Sequence, residues 1–218
     1  MIPVMYTGHM FSGLTTTQKI AIVVSIIISL VIHEAMHGYA AHALGDDTAK
    51  EAGRLTLNPL KHIDIYTTVL LPIVMILLFN VPFLVAKPVP FNPNRVKFRE
   101  YGAALVGLAG PLSNFVLASI AAVILHIYGN SMSYSMAYDI FLFLEINVMI
   151  FVFNMIPFPP LDGSRVLYAF APEPIQHVME RIEGMGFMAI IFILLIFFLF
   201  LSTPIIAIDQ HLINFLVG

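Results

Sequence analysis

The chain has 218 residues, no cysteine and a formal net charge of −3, and 59% of it is hydrophobic, with a mean hydropathy of +0.92. That apolar share exceeds the roughly 45–50% of soluble domains, so lipid is the expected solvent and the chain reads as an integral membrane protein. Without cysteine there are no disulfides and no thiolate ligands, which leaves His, Asp and Glu for any metal, and nothing in the composition points to nucleic acid.

Residues 1–14 are mixed and are expected at the membrane surface; they carry no basic leader or clear cleavage pattern, so the first apolar run reads as a retained span. Thr15 with Gln18 three residues on fits a capping box. The helix it opens can run to Leu44 and stop at Gly45, roughly 40 Å at 1.5 Å per residue, enough to cross a bilayer. Residues 46–64 are polar, and the alternation from Arg54 to Leu57 predicts a short strand. Residues 65–86 are apolar but broken by Pro72 and Pro82, and the basic, proline-rich KPVPFNPNRVKFR follows.

Residues 103–128 form the next span, in which Gly107, Gly110, Ala118, Ala121 and Ala122 let neighbouring helices approach closely. Residues 139–156 form another, stopped by Pro157, Pro159 and Pro160. A last apolar block over 187–217 is interrupted at Ser202-Thr203-Pro204, which predicts either one span plus an interfacial helix or two short spans. With no repeat or second domain, residues 1–218 read as one all-α polytopic membrane domain, with a core over 15–165 and C-terminal helices over 166–218.

Lys and Arg concentrate in residues 50–61 and 87–99 and recur at 165 and 181, whereas the linker 129–138 has none. The basic segments are therefore expected in the cytoplasm and the linker outside, at the cell membrane. This requires 65–86 to enter and leave on one side as a re-entrant segment, which is tolerated where irregular backbone is covered by protein or lines a cavity.

Late in the first span lies His33-Glu34-Ala35-Met36-His37, an HExxH motif. Residues four apart share a helix face, so both imidazoles can reach one metal with Glu34 beside them. Zinc fits two histidines and one hard ligand, leaves a position for water, lowers the pKa of that water and lets a neighbouring carboxylate take its proton. Such groups inside a membrane are costly and mark function. For the third ligand, the residues at matching depth are Asp162, His42, Asp46, Asp47, Asp64 and His62. Asp162 sits on a proline-framed turn after a membrane helix, and the residues alone leave it either a ligand or a helix-terminus and surface residue. Glu145, in the outer half, reads as structural, paired with His126 or water.

HEAMHGYAAHALGD together with NMIPFPPLDGSR (residues 154–165) and Gly110-Pro111-Leu112-Ser113-Asn114 resembles the site-2 protease family of intramembrane zinc metalloproteases. The second stretch matches that family's NxxPxPxLDG motif and the third its GPxxN motif, while GRLTLNP and AKPVPFNP are similar to its β-loop segments. The resemblance spans His33 to Arg165 in the family's order. It implies one zinc per chain held by His33, His37 and Asp162, Glu34 as general base, and Asn154 and the β-loop in contact with substrate. Asn114 is a further substrate-facing candidate, or else a residue that fixes helix geometry through hydrogen bonds. No PDZ domain is inserted between Asn114 and Asn154 and no cystathionine-β-synthase-like domain follows the last span, so the chain resembles a minimal member. The expected substrates are single-span membrane proteins cut near the cytoplasmic side. The competing classes are a non-catalytic membrane metal-binding or transport protein, which would need ionisable residues through both leaflets, and a scaffold that binds transmembrane helices without cutting.

Overall fold

The computed structural model describes residues 15–62 and 87–218. Helix α1 spans Thr16–Ala43, opened by the expected capping box between Thr15 and Gln18. A short α2 (Thr48–Glu51) and a 3₁₀ turn (Pro59–His62) follow. Then come α3 (Arg99–Tyr128), α4 (Tyr134–Asn154), α5 (Gly163–Phe170), α6 (Glu173–Glu183), α7 (Phe187–Ile196) and α8 (Ser202–Val217). Among the described residues, four helical stretches are long and apolar enough to cross a membrane: Thr16–Ala43, Arg99–Ser131, Tyr134–Asn154 and Met188–Val217. The protein is an all-α polytopic membrane protein.

Helix α1 shows the inside-out patterning that lipid imposes. Its buried stripe runs Ile22, Ser25, Ser29, His33, His37 and Ala41, mostly small or polar, whereas Ile20, Val23, Val24, Ile27 and Ile28 are exposed. In water the large residues would face inward; in a bilayer they meet lipid while the small and polar ones are paired inside. The central packing unit joins Ala118, Ala121 and Ala122 of α3 to Phe141, Leu144, Val148 and Val152 of α4, with Ile213 of α8. Ile22 of α1 packs on Leu142 and Ile146 of α4, so α4 lies between α1 and the C-terminal helix.

Three expectations change. No strand occurs among the described residues; Arg54 to Leu57 is held instead by the Arg54 guanidinium, which donates to the carbonyls of Lys61, Lys87 and Pro88. Helix α4 starts at Tyr134 rather than residue 139, because the Ser133 hydroxyl caps it by accepting from the Met136 amide. The C-terminal block does not break at Ser202-Thr203-Pro204. A π turn, Phe197–Leu201, precedes Ser202, and Pro204 falls in the first turn of α8, where a missing N–H is tolerated. The proposed re-entrant segment, 65–86, lies outside the described residues.

The loop 87–98 is tied to the end of α1. The Lys97 amide donates to the Leu44 carbonyl at 2.9 Å and the Asn92 amide to Asp46 Oδ2 at 2.6 Å. Gly38 makes room for this loop, since a Cβ there would press on Val89 and Leu55.

Candidate metal centre

His33 and His37 sit one turn apart on the buried face of α1, and their rings meet edge to face with centroids 4.7 Å apart. The third member arrives from the turn between α4 and α5. Gly163 lets that turn fold back, because a Cβ there would collide with the Met155 carbonyl. Asp162 occupies the N-cap position of α5 yet makes no capping bond; its carboxylate is turned to the imidazoles. Oδ2 lies 3.0 Å from His33 Nε2 and 3.3 Å from His37 Nε2, and the two Nε2 atoms are 3.1 Å apart.

Helix α3 closes the other side with two glycines on one face. A Cβ at Gly110 would overlap His37 and His33, and one at Gly107 would press on Arg165 and the Asp162 carbonyl. Only hydrogen fits between the α3 backbone and the site. Arg165 anchors the turn beyond, pairing with Glu183 of α6 and lying over the Phe91 ring of the 87–98 loop at 5.5 Å.

The remaining ring nitrogens decide what the triangle can hold. His33 Nδ1–H donates to Asn114 Oδ1 at 2.6 Å, and His37 Nδ1–H donates to the Val106 carbonyl at 2.7 Å. Both acceptors lack a competing proton, so in each neutral ring Nε2 carries the lone pair. Two lone pairs and a carboxylate oxygen thus converge about 3 Å apart, an arrangement that repels itself unless a cation sits among them. A single proton bridges one edge of the triangle; a divalent ion serves all three. Zinc bonds of 2.0–2.1 Å in tetrahedral array give ligand-to-ligand edges of about 3.3 Å, close to the separations here. The set therefore fits zinc.

Glu34 is half-buried beside the pair, and its Oε2 accepts from the Val89 amide at 2.9 Å. The other third-ligand candidates are engaged elsewhere. His42 pairs with Asp47 at 2.6 Å, Asp46 accepts from Thr48 and Asn92, and His62 donates to the Thr56 carbonyl. Asp64 lies outside the described residues. Among the described residues, the one group of three or more His, Asp or Glu side chains able to hold a metal is His33, His37 and Asp162.

Asn114 is wholly buried behind His33, and its amide is bonded inside the protein, to His33, the Ser29 carbonyl and Asn147. Asn154 ends α4 and donates to the Ile150 carbonyl of its own helix at 3.0 Å. Glu145 is buried with Asp209 of α8 as its charged neighbour rather than His126. Two contributors escaped the sequence reading because they are backbone groups, the Val106 carbonyl and the Val89 amide. Asn147 of α4 escaped as well, although a lone amide in an apolar span is itself a signal that a partner waits inside.

No family model matches the chain, and no solved structure does. Among curated sequences, YwhC of Bacillus subtilis, provisionally named a zinc metalloprotease, is 38% identical over 181 residues, 80% of this chain and 78% of its own length. Rip2 of Mycolicibacterium smegmatis, named likewise, is 27% identical over 81% of this chain and 67% of its own length. A third relative so named, from Methanocaldococcus jannaschii, is 29% identical over 63% of each chain.

Proposed function

The chain belongs to the site-2 protease family of zinc metalloproteases, and from that premise we propose that it is an intramembrane endopeptidase that hydrolyses peptide bonds in the transmembrane segments of single-span membrane proteins. The observation that carries this reading is the convergence of His33 Nε2, His37 Nε2 and Asp162 Oδ2 beside the Glu34 carboxylate, inside a helix bundle whose outer faces are apolar. His33 lies ten residues before the end of α1, about 15 Å of helix, which supports a site within the hydrocarbon layer on the side of the Lys- and Arg-rich segments. The distribution of those charges supports the reading that this side is the cytoplasmic face of the cell membrane.

In this reading His33, His37 and Asp162 hold one zinc ion. Bound there, zinc supplies Lewis-acid chemistry, polarising a carbonyl and acidifying water. Glu34 takes the proton from the attacking water and delivers it to the leaving amine. The Val89 amide fixes Oε2 of Glu34 and leaves Oε1 for that proton. Asn154 retains amide capacity beyond its bond to Ile150 and sits eight residues before Asp162, at the mouth of the same turn; we assign it to the substrate backbone. The loop 87–98 borders the path of water from the aqueous side.

Glu34→Gln is expected to keep zinc while cleavage of a model single-span substrate falls by about 10²-fold or more. Asp162→Ala is expected to lose metal as well, read by metal analysis of the purified protein. Full zinc content in Asp162→Ala would remove it from the ligand set, and unimpaired cleavage by Glu34→Gln would remove the base.

A further inference from the structure

Asn147 lies in the middle of α4, wholly buried in a stretch otherwise built of Phe, Leu, Ile and Val with Glu145. A buried amide is costly unless its atoms are paired, and this one neither binds metal in the reading above nor belongs to the motifs that carry it. Its partners run in one direction. Asn147 Nδ2 donates to the Phe143 carbonyl at 2.8 Å, and Asn147 Oδ1 accepts from Asn114 Nδ2 at 2.8 Å. Asn114 Nδ2 also donates to the Ser29 carbonyl at 3.3 Å, and Asn114 Oδ1 accepts from His33 Nδ1–H at 2.6 Å.

The direction of this chain is not arbitrary. An amide side chain can be turned end for end, and only its surroundings settle which way it points. Here the Phe143 and Ser29 carbonyls are backbone acceptors that cannot turn. The first obliges Asn147 to aim its NH₂ at Phe143 and its oxygen at Asn114. That oxygen and the Ser29 carbonyl then oblige Asn114 to aim its NH₂ towards α4 and α1, leaving its own oxygen for His33. A flipped Asn114 would oppose NH₂ to the His33 N–H and oxygen to two acceptors.

We propose that Asn147 is a positioning residue for the metal site: acting through Asn114, it holds the proton of His33 on Nδ1 and so keeps the Nε2 lone pair towards Asp162 and His37. The inference rests on the zinc reading of that triangle. It gives α4 a part in the site separate from delivering Asp162, and it joins α1, α3 and α4 in one polar chain. Outer partners of this kind govern ligand orientation and basicity at metal sites, and their loss costs about 10- to 100-fold in metal affinity.

The test uses the full chain in lipid nanodiscs, with zinc affinity measured by competition against a chelator. Asn147→Leu removes the amide at similar volume and is expected to weaken zinc at least tenfold, while Asn147→Asp, protonated in that setting, can still donate to Phe143 and accept from Asn114 and should bind zinc as the unmodified chain does. Asn114→Leu should weaken zinc at least as much as Asn147→Leu. The double variant should be no weaker than Asn114→Leu alone, since a relay cannot be broken twice. Unchanged affinity in a folded Asn147→Leu, or fully additive losses, would overturn the proposal. Should Asn147→Leu not fold, nitrogen NMR of ¹⁵N-histidine in the unmodified, zinc-loaded protein decides. Coordination of His33 through Nε2 with its proton on Nδ1 is required, and coordination through Nδ1 refutes the relay. A wild-type chain that takes up no zinc would instead refute the underlying metal reading.

Discussion

At the scale of single residues, the site depends on atoms that are missing as much as on those present. Gly110 is the sharpest case: a Cβ there would overlap both imidazoles, so Gly110→Ala must displace α3 or rotate both rings. Overpacking of this kind costs about 1–3 kcal/mol, and here the displaced atoms are the proposed ligands. Gly110→Ala should therefore lose metal and cleavage together with a modest fall in melting midpoint, whereas a neutral result on zinc content would show that α3 yields without disturbing the rings. Asp46 offers a pH-dependent test away from the membrane. Burial pushes its carboxyl up, but donors from Thr48 and Asn92 outweigh this and hold it below the usual carboxylate range. A depressed folded value means that its stabilisation is present above the unfolded value of about 3.9 and fades as pH falls through the folded one. Asp46→Ala should cost about 1–3 kcal/mol at neutral pH, and its melting midpoint should approach that of the unmodified chain in acid. A gap that widens in acid would contradict the assignment. The imidazole pair, with Glu34 beside it, was readable from spacing alone, because four residues on a helix is a statement about geometry. The Nδ1 partners were not, because a backbone carbonyl at Val106 and an amide 81 positions along the chain carry no local pattern.

At the scale of elements, caps and close approaches place each helix. Ser133 caps α4 through the Met136 amide, so Ser133→Ala is expected to cost ~1 kcal/mol and to fray the first turn of α4, read as faster amide exchange at Met136 and Ala137. Unchanged exchange would mean that packing of Tyr134 on Tyr138 holds the turn by itself. This boundary was missed in the sequence because Ser-Tyr-Ser-Met is polar enough to pass for a linker, whereas the Thr15 box was legible from its two side chains. The C-terminal proline misled for a related reason. Proline ends an α-helix by its missing N–H and its clash with the carbonyl four residues back, and the π turn over Phe197–Leu201 directly precedes the turn that holds Pro204, where that cost is small. Strand alternation at Arg54 to Leu57 likewise counted side chains and overlooked that one of them, Arg54, takes up three carbonyls.

At the scale of the whole molecule, charge and burial describe one oriented bundle. Basic residues gather at the end where α1 finishes, α3 begins and α4 gives way to α5, and at the opposite end the described residues hold only Lys19 in the first turn of α1, with none in the linker around Gly129–Ser131. The absence of cysteine makes this orientation directly measurable. A single cysteine introduced at Lys50 or Lys97 should react with an impermeant maleimide only in inverted vesicles, and one at Asn130 only in right-side-out cells. The reverse pattern would put the site on the outer side. The distance along the chain between the two parts of the site, 129 residues from His33 to Asp162, also sets an order in time. A ribosome releases α1 first, so on the proposed assignment both imidazoles and the base enter the bilayer while the turn that bears Asp162 has yet to be translated. Until α4 follows, the pair lacks its third ligand atom and Asn114 lacks the partner that aims it. If the proposed assignment holds, the nascent chain is inert among other unfolded segments leaving the translocon, and competence arrives only when the last core helix is in place.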